Sequence, residues 1–243
     1  MNKRTVLCGW AVVVTGWAGL ALAVPRETLE AIEREIAEKW TKIKTLSGTM
    51  TMSSDMSMEG SSSKSESTGT YEYMKKGDKL VYRMHMKMSM VNNFGGQEMK
   101  MDSEVTSICD GAFVYTLTDQ GGQKSAAKMK ADNSQSMDTM STLTTLRQHN
   151  TLKLLADESL DGQGVYTIEA MAKEPASPMP RTVMYIAKDN GVLLKSVSFD
   201  KAGKQAATML FKDIKVNGEI SADRFTFKAP EGVEVLDMSA QAP

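Results

Sequence analysis

The chain has 243 residues, 41% of them hydrophobic and 24% charged, with a formal net charge of −1. That length suits one large all-β or α+β domain or two small ones, and the near-neutral balance excludes the basic footprint of a nucleic-acid binder. Methionine is the unusual component, with 20 copies against 6 phenylalanines, so much of the apolar surface is flexible thioether.

At the N-terminus, Lys3 and Arg4 precede an apolar run from Val6 to Val24, and Ala21-Leu22-Ala23 forms an A-x-A cleavage pattern. The pattern predicts a cleaved signal peptide over residues 1–23 and a single exported domain over 24–243. An uncleaved anchor is the competing reading, weakened by Gly9, Thr15, Gly16 and Gly19 within the run. Cleavage would remove Cys8 and leave Cys109 as the sole cysteine, a small buried hydrophobe with no disulfide to form.

Pro25 to Leu46 reads as an amphipathic helix, with Leu29, Ile32, Ile36, Trp40 and Ile43 on one face. From Ser47 the hydrophobic period changes to two. Thr49 to Met58 is a predicted strand, Gly60 to Ser67 a long polar hairpin loop, and Tyr71 to Lys75 the returning strand. Lys76-Gly77-Asp78 turns the chain into Tyr82 to Val91, and Asn92 to Gly96 turns it out again towards a strand ending at Cys109. Asp110-Gly111 leads into Phe113 to Thr118. After Gly121-Gly122 the pattern loosens, and Met137 to Gln148 has the spacing of a short second helix.

Strands resume at Leu152 to Ala156 and Val165 to Ala170, before the stiff Pro-containing connection Glu174 to Pro180. Thr182 to Ala187 and Val192 to Phe199 flank the hairpin signal Asp189-Asn190-Gly191. Ala206 to Ile214, Phe225 to Lys228 and Val233 to Leu236 complete the set. Ten or eleven strands with two helices predict a mainly β (α+β) fold, a strongly curved antiparallel sheet or unclosed barrel with helices on its open side.

Within Tyr82 to Val91, Met84, Met86, Met88 and Met90 alternate with His85, Lys87 and Ser89. In a strand this puts four thioethers on one face, over roughly 20 Å, and burying them would contribute on the order of 6–12 kcal/mol. Three occupants of that face can be weighed: the protein's own core, a lipid-like ligand, and Cu(I), for which Met84, Met86 and Met88 would be the thioether ligands. His85 falls on the opposite face and does not join them. No histidine pair, nucleophile elbow or phosphate loop points to an enzyme or to a cofactor. Lys75, Lys76, Lys79, Arg83 and Lys87 form either a solvated face or a patch for an anionic partner.

The order of elements, the Leu-Ser-Gly step after the first helix, the Asp110-Gly111 turn, the Phe-Asp-Lys-Ala-Gly ending at Gly203, and above all the stretch from Ile220 to Val235, with its Phe-x-Phe-x-x-Pro-x-Gly-Val ending, resemble the periplasmic outer-membrane lipoprotein carrier (LolA-like) superfamily. The resemblance implies an unclosed barrel whose concave face, covered by helices, holds acyl chains. It implies a periplasmic, non-enzymatic binding protein for a lipid or acylated ligand, with Met50, Met52, Met84, Met86, Met88, Met90, Met99 and Met101, together with Trp40 and Ile36 of the first helix, as the cavity lining. Each buried methylene is worth about 0.8 kcal/mol, so a long acyl chain would contribute on the order of 10 kcal/mol before ordering costs. A sensor or scaffold that passes a signal to a membrane-bound partner protein is a further reading of the same fold. A monomer is expected.

Overall fold

The computed structural model describes residues 28–58, 60–77, 79–131 and 138–240; the expected leader lies outside them. The first helix, α1 (Leu29–Thr41), starts at Thr28, whose hydroxyl accepts from the Ala31 amide at 3.2 Å, a standard N-cap. It ends four residues before the first strand, so the segment to Leu46 predicted as helix is already extended from Thr45. Asn217 explains the break: its side-chain oxygen accepts from the Lys44 amide at 2.7 Å, and its amide donates to the Lys42 carbonyl.

Six antiparallel strands follow as a meander: β1 (Thr45–Met58), β2 (Ser61–Lys76), β3 (Lys79–Phe94), β4 (Gln97–Cys109), β5 (Phe113–Gln120) and β6 (Gln123–Lys130). Helix α2 (Thr139–His149) leads to β7 (Asn150–Leu154), β8 (Glu158–Leu160), β9 (Gln163–Ala172), β10 (Arg181–Ala187), β11 (Leu193–Phe199), β12 (Gln205–Val216) and β13 (Val235–Asp237). The strands form one 13-stranded sheet in the order β13-β6-β5-β4-β3-β2-β1-β12-β11-β10-β9-β7, with β8 paired to β9. The two ends of that order do not pair, so the sheet curves without closing. No described helix is long and apolar enough to cross a membrane.

Two expected elements differ, and β6 and β8 are strands that the pattern does not predict. The serine-rich stretch predicted as a loop is the first half of β2, paired in continuous register with both β1 and β3. Gly60, immediately before it, is at φ 78°. The ladder holds these serines even though they carry no apolar alternation, and their small side chains leave room for methionines on both neighbours. Strand β6, largely polar, escapes the pattern for the same reason. Phe225 to Lys228 is not a strand: a 3-10 turn (Ala222–Phe225) precedes an extended strap on the outer face of the sheet. Phe227 stacks on Tyr115 at 5.0 Å between ring centroids and 7° between planes, Arg224 pairs with Glu72 at 2.9 Å, and the chain then joins β6 in parallel as β13.

The main core lies between the concave face and the two helices. Ile32, Ile36 and Trp40 of α1 and Leu143 of α2 pack against Leu46, Met50, Tyr71, Tyr73, Ile168 and Met184. Gly191, at φ 73°, is the joint: its carbonyl accepts from Trp40 Nε1 and from the Thr139 hydroxyl, each at 2.8 Å. A Cβ there would press on Ile36 at 3.4 Å. Arg147 and Glu33 pair across the two helices.

Candidate functional site

Pairing register settles which side chains share the concave face. Met50 lies beside Gly69, which lies beside Met86; Met52 lies beside Ser67, which lies beside Met88. Met84 stands between Tyr71 and Ser107, and Met90 directly opposite Met101. All eight candidate methionines therefore face the same way, with Met99 two residues from Met101. His85 faces the other way, its Nδ1 3.0 Å from the Thr106 hydroxyl, as the alternation requires.

Burial divides the eight. Met50 and Met86 are closed off at 3% and 7% exposure, whereas Met52, Met99 and Met101 are 40%, 57% and 38% exposed. Glycine makes the tight packing possible at one point: a Cβ on Gly69 would collide with the His85 carbonyl oxygen and lie 2.8 Å from the Met86 sulfur.

Between the concave sheet and α2 lies a cavity of about 600 Å3, within the range of sites that hold small ligands. Its sheet side is formed by Leu46, Met50, Met52, Tyr71, Met84, Met184, Met209 and Phe211, with Thr182, Ser196 and Ser198 from β10 and β11. Its helix side carries Ser141, Thr142, Thr145 and Leu146. Among the described residues no lining side chain is charged, so the space suits a neutral, mainly apolar guest.

Of the expected lining, Met50, Met52 and Met84 border this cavity. Met86 is buried in the main core, and Met88, Met90, Met99 and Met101 lie further along the hairpins. Ile36 and Trp40 do not line it either: Ile36 is fully buried and Trp40 is 8% exposed, both fixed in the core by the Gly191 joint. The helix that borders the cavity is α2, whose face towards it mixes one leucine with hydroxyls and so carries little hydrophobic signal. Met184, Met209 and Phe211 are lining residues that the strand pattern of β10 and β12 does not single out, although alternation would have grouped Met209 with Phe211 on one face.

Tyr71 stands out at the cavity wall. It is 1% exposed, its ring meets Phe211 edge-on at 5.5 Å, and its hydroxyl has no hydrogen-bond partner among the described residues. Burial pushes the phenol up to about 12. The hydroxyl occupies space left by Gly48, where a Cβ would come within 2.8 Å of it. Burial also raises the Cys109 thiol, which sits with Tyr82 and Val114 in a small separate cluster, an inert setting for a cysteine.

A second depression, about 760 Å3, is lined chiefly by residues of the opposite alternation, among them Thr51, Thr68, Lys87, Glu104 and Asp119. Lys87 and Glu104 pair there at 3.0 Å. Its larger volume reflects an open, charged outer surface rather than an apolar container.

Comparison with known proteins gives the following. A family model described as an uncharacterized protein matches residues 122–230. An uncharacterized protein of Methanocaldococcus jannaschii is 24% identical over 141 residues, 57% of this chain and 40% of its own length. An outer-membrane lipoprotein carrier protein of Chromohalobacter salexigens is 42% identical over 43 residues, 18% of this chain and 20% of its own. The chain thus spans less than half the length of either curated relative. A crystal structure of an uncharacterized conserved protein from Thermus thermophilus superposes with a TM-score of 0.51 at 11% identity, covering 84% of this chain and 98% of that one. The unclosed, curved sheet with its helices is the fold that the resemblance to the LolA-like superfamily implies.

Proposed function

We propose that the protein is an exported, non-enzymatic binding protein that shields a lipid or the acyl part of a lipidated protein in the cavity between its concave sheet and α2. The observation that carries this reading is the uncharged, thioether-rich lining of a 600 Å3 space. Methionine adapts to guests of variable shape, and each methylene transferred from water contributes about 0.8 kcal/mol. The hydroxyls of Ser141, Thr142 and Thr145 on α2 and of Thr182, Ser196 and Ser198 on the sheet suit an ester or amide carbonyl, while a charged headgroup would remain at the mouth. Met50, Met52, Met84, Met184 and Met209 are the contacts proposed for the acyl chain, and periplasmic transport is the role that fits them.

Native mass spectrometry of protein purified from a cell-envelope extract tests the proposal. Co-purifying lipid is expected. A protein that emerges without lipid and also leaves a fluorescent acyl probe unbound would overturn it.

A further inference from the structure

The acyl cavity does not account for the methionines at the far end of the first four strands. Beyond the row formed by Met50, Gly69 and Met86, and short of the turn residue Phe94, every apolar residue on the concave face of β2 to β4 and of the facing part of β1 is methionine: Met52, Met56, Met88, Met90, Met99 and Met101. Core packing does not explain them all, because Met99 and Met101 are 57% and 38% exposed. Apolarity alone does not explain them either, since leucine, valine or isoleucine would serve a lipid or a core equally well and suit a strand better. What this group shares is sulfur.

Met90 and Met101 are directly opposed across β3 and β4, which puts their Cβ atoms about 5 Å apart. Met88 lies diagonally from Met101, and Met99 diagonally from Met90, at about 7–8 Å. With three rotatable bonds each, Met90, Met99 and Met101 can bring their sulfurs to one point, whereas Met88 stands four strand positions from Met99, about 13 Å along the ladder, too far to share a centre with it. The neighbours on the same face, Ser65, Ser67, Ser103 and Asn92, are small or neutral and place no charge in the way. Among the described residues no three His, Cys, Asp or Glu side chains gather as a metal-holding group, so the donors available are soft ones.

We infer that Met90, Met99 and Met101 form a solvent-accessible thioether site for Cu(I), separate from the acyl cavity. Neutral thioethers select this soft monovalent ion over Zn(II) or Ca(II). The site lies further along the hairpin than the set Met84, Met86 and Met88 suggested by spacing alone, because Met84 borders the cavity and Met86 is buried.

The test is an anaerobic titration of the full chain against Cu(I) held by a chromogenic chelator. The protein is expected to withdraw one equivalent. Met90→Leu/Met101→Leu, which keeps size and apolarity but removes two sulfurs, is expected to weaken binding by at least about tenfold, while Met84→Leu and Cys109→Ala retain it. Binding of a fluorescent acyl probe is expected to be unchanged in Met90→Leu/Met101→Leu, which separates this inference from the proposed lipid function. X-ray absorption of the copper-loaded protein is expected to show a sulfur-only shell. No withdrawal by the unmodified chain, undiminished withdrawal by the double leucine variant, or a nitrogen or oxygen shell would overturn the assignment.

Discussion

Tyr71 and Gly69 show how individual residues shape the concave face. A buried hydroxyl without a partner is a cost of roughly 1–3 kcal/mol, so Tyr71→Phe is expected to stabilise the fold by about 1 kcal/mol, read from the urea midpoint. The same change alters alkaline behaviour. The Tyr71 phenol is pushed up to about 12, above the ordinary value near 10, so the stability linked to its neutral form is complete below pH 10 and lost as pH rises through 12. Tyr71→Phe is expected to move the alkaline unfolding midpoint upward, with Tyr73, also near 12 and likewise raised chiefly by burial, left as the remaining contributor. Gly69 acts in the opposite sense. A Cβ there meets the His85 carbonyl and the Met86 sulfur, so Gly69→Ala is expected to cost about 1–3 kcal/mol, as overpacked sites do; an unchanged melting temperature would contradict the packing described for the methionine row.

Among the elements, the C-terminal strap is held by a few identifiable contacts. Strand β13 pairs in parallel with β6, and Lys128 donates to Asp237 at 3.0 Å. Hydrogen bonds from Ser239, its hydroxyl first and its amide second, together with Lys128 hold the Asp237 carboxyl at about 2. Because that value lies below the ordinary aspartate value near 3.9, the contribution is present above pH 4 and fades as pH falls towards 2. Amide exchange at Met238, whose N–H donates to the Lys128 carbonyl at 2.8 Å, is expected to lose protection over that window in the unmodified chain, and Asp237→Asn is expected to remove that pH-dependent loss. The strap also shows where sequence patterning stops short. Phe225 and Phe227 alternate as strand residues do, yet Phe225 closes a 3-10 turn and Phe227 stacks on Tyr115, a tertiary contact that no local period encodes. Ser61 to Ser67 depart in the other direction, because a strand held by ladders on both sides needs no apolar alternation of its own. By contrast, the face shared by Met84, Met86, Met88 and Met90 follows from alternation alone, since the pleat leaves one choice.

For the whole molecule, the meander and the unclosed sheet are legible because glycine turns punctuate long strands: Gly95-Gly96 and Gly121-Gly122 both occupy positive φ, the geometry of two-residue hairpin turns. The cavity is legible only in part. Its β1 and β3 walls follow from the period of two, but the wall from α2 and the floor from β10 to β12 depend on how the sheet curls back, which arises from the pairing of β1 with β12 across more than 150 residues of chain. That curl brings Ser196 of β11 to the cavity floor beside Met184 and Met209, where a large side chain would fill the space without removing a core contact. The most direct measurement of the proposed function is therefore a titration of the unmodified chain and of Ser196→Trp with a fluorescent long-chain acyl probe. Saturable binding by the unmodified chain, weakened by about tenfold or more in Ser196→Trp with circular dichroism unchanged, is the predicted result; equal binding by the two proteins, or none by either, would contradict an acyl-holding cavity.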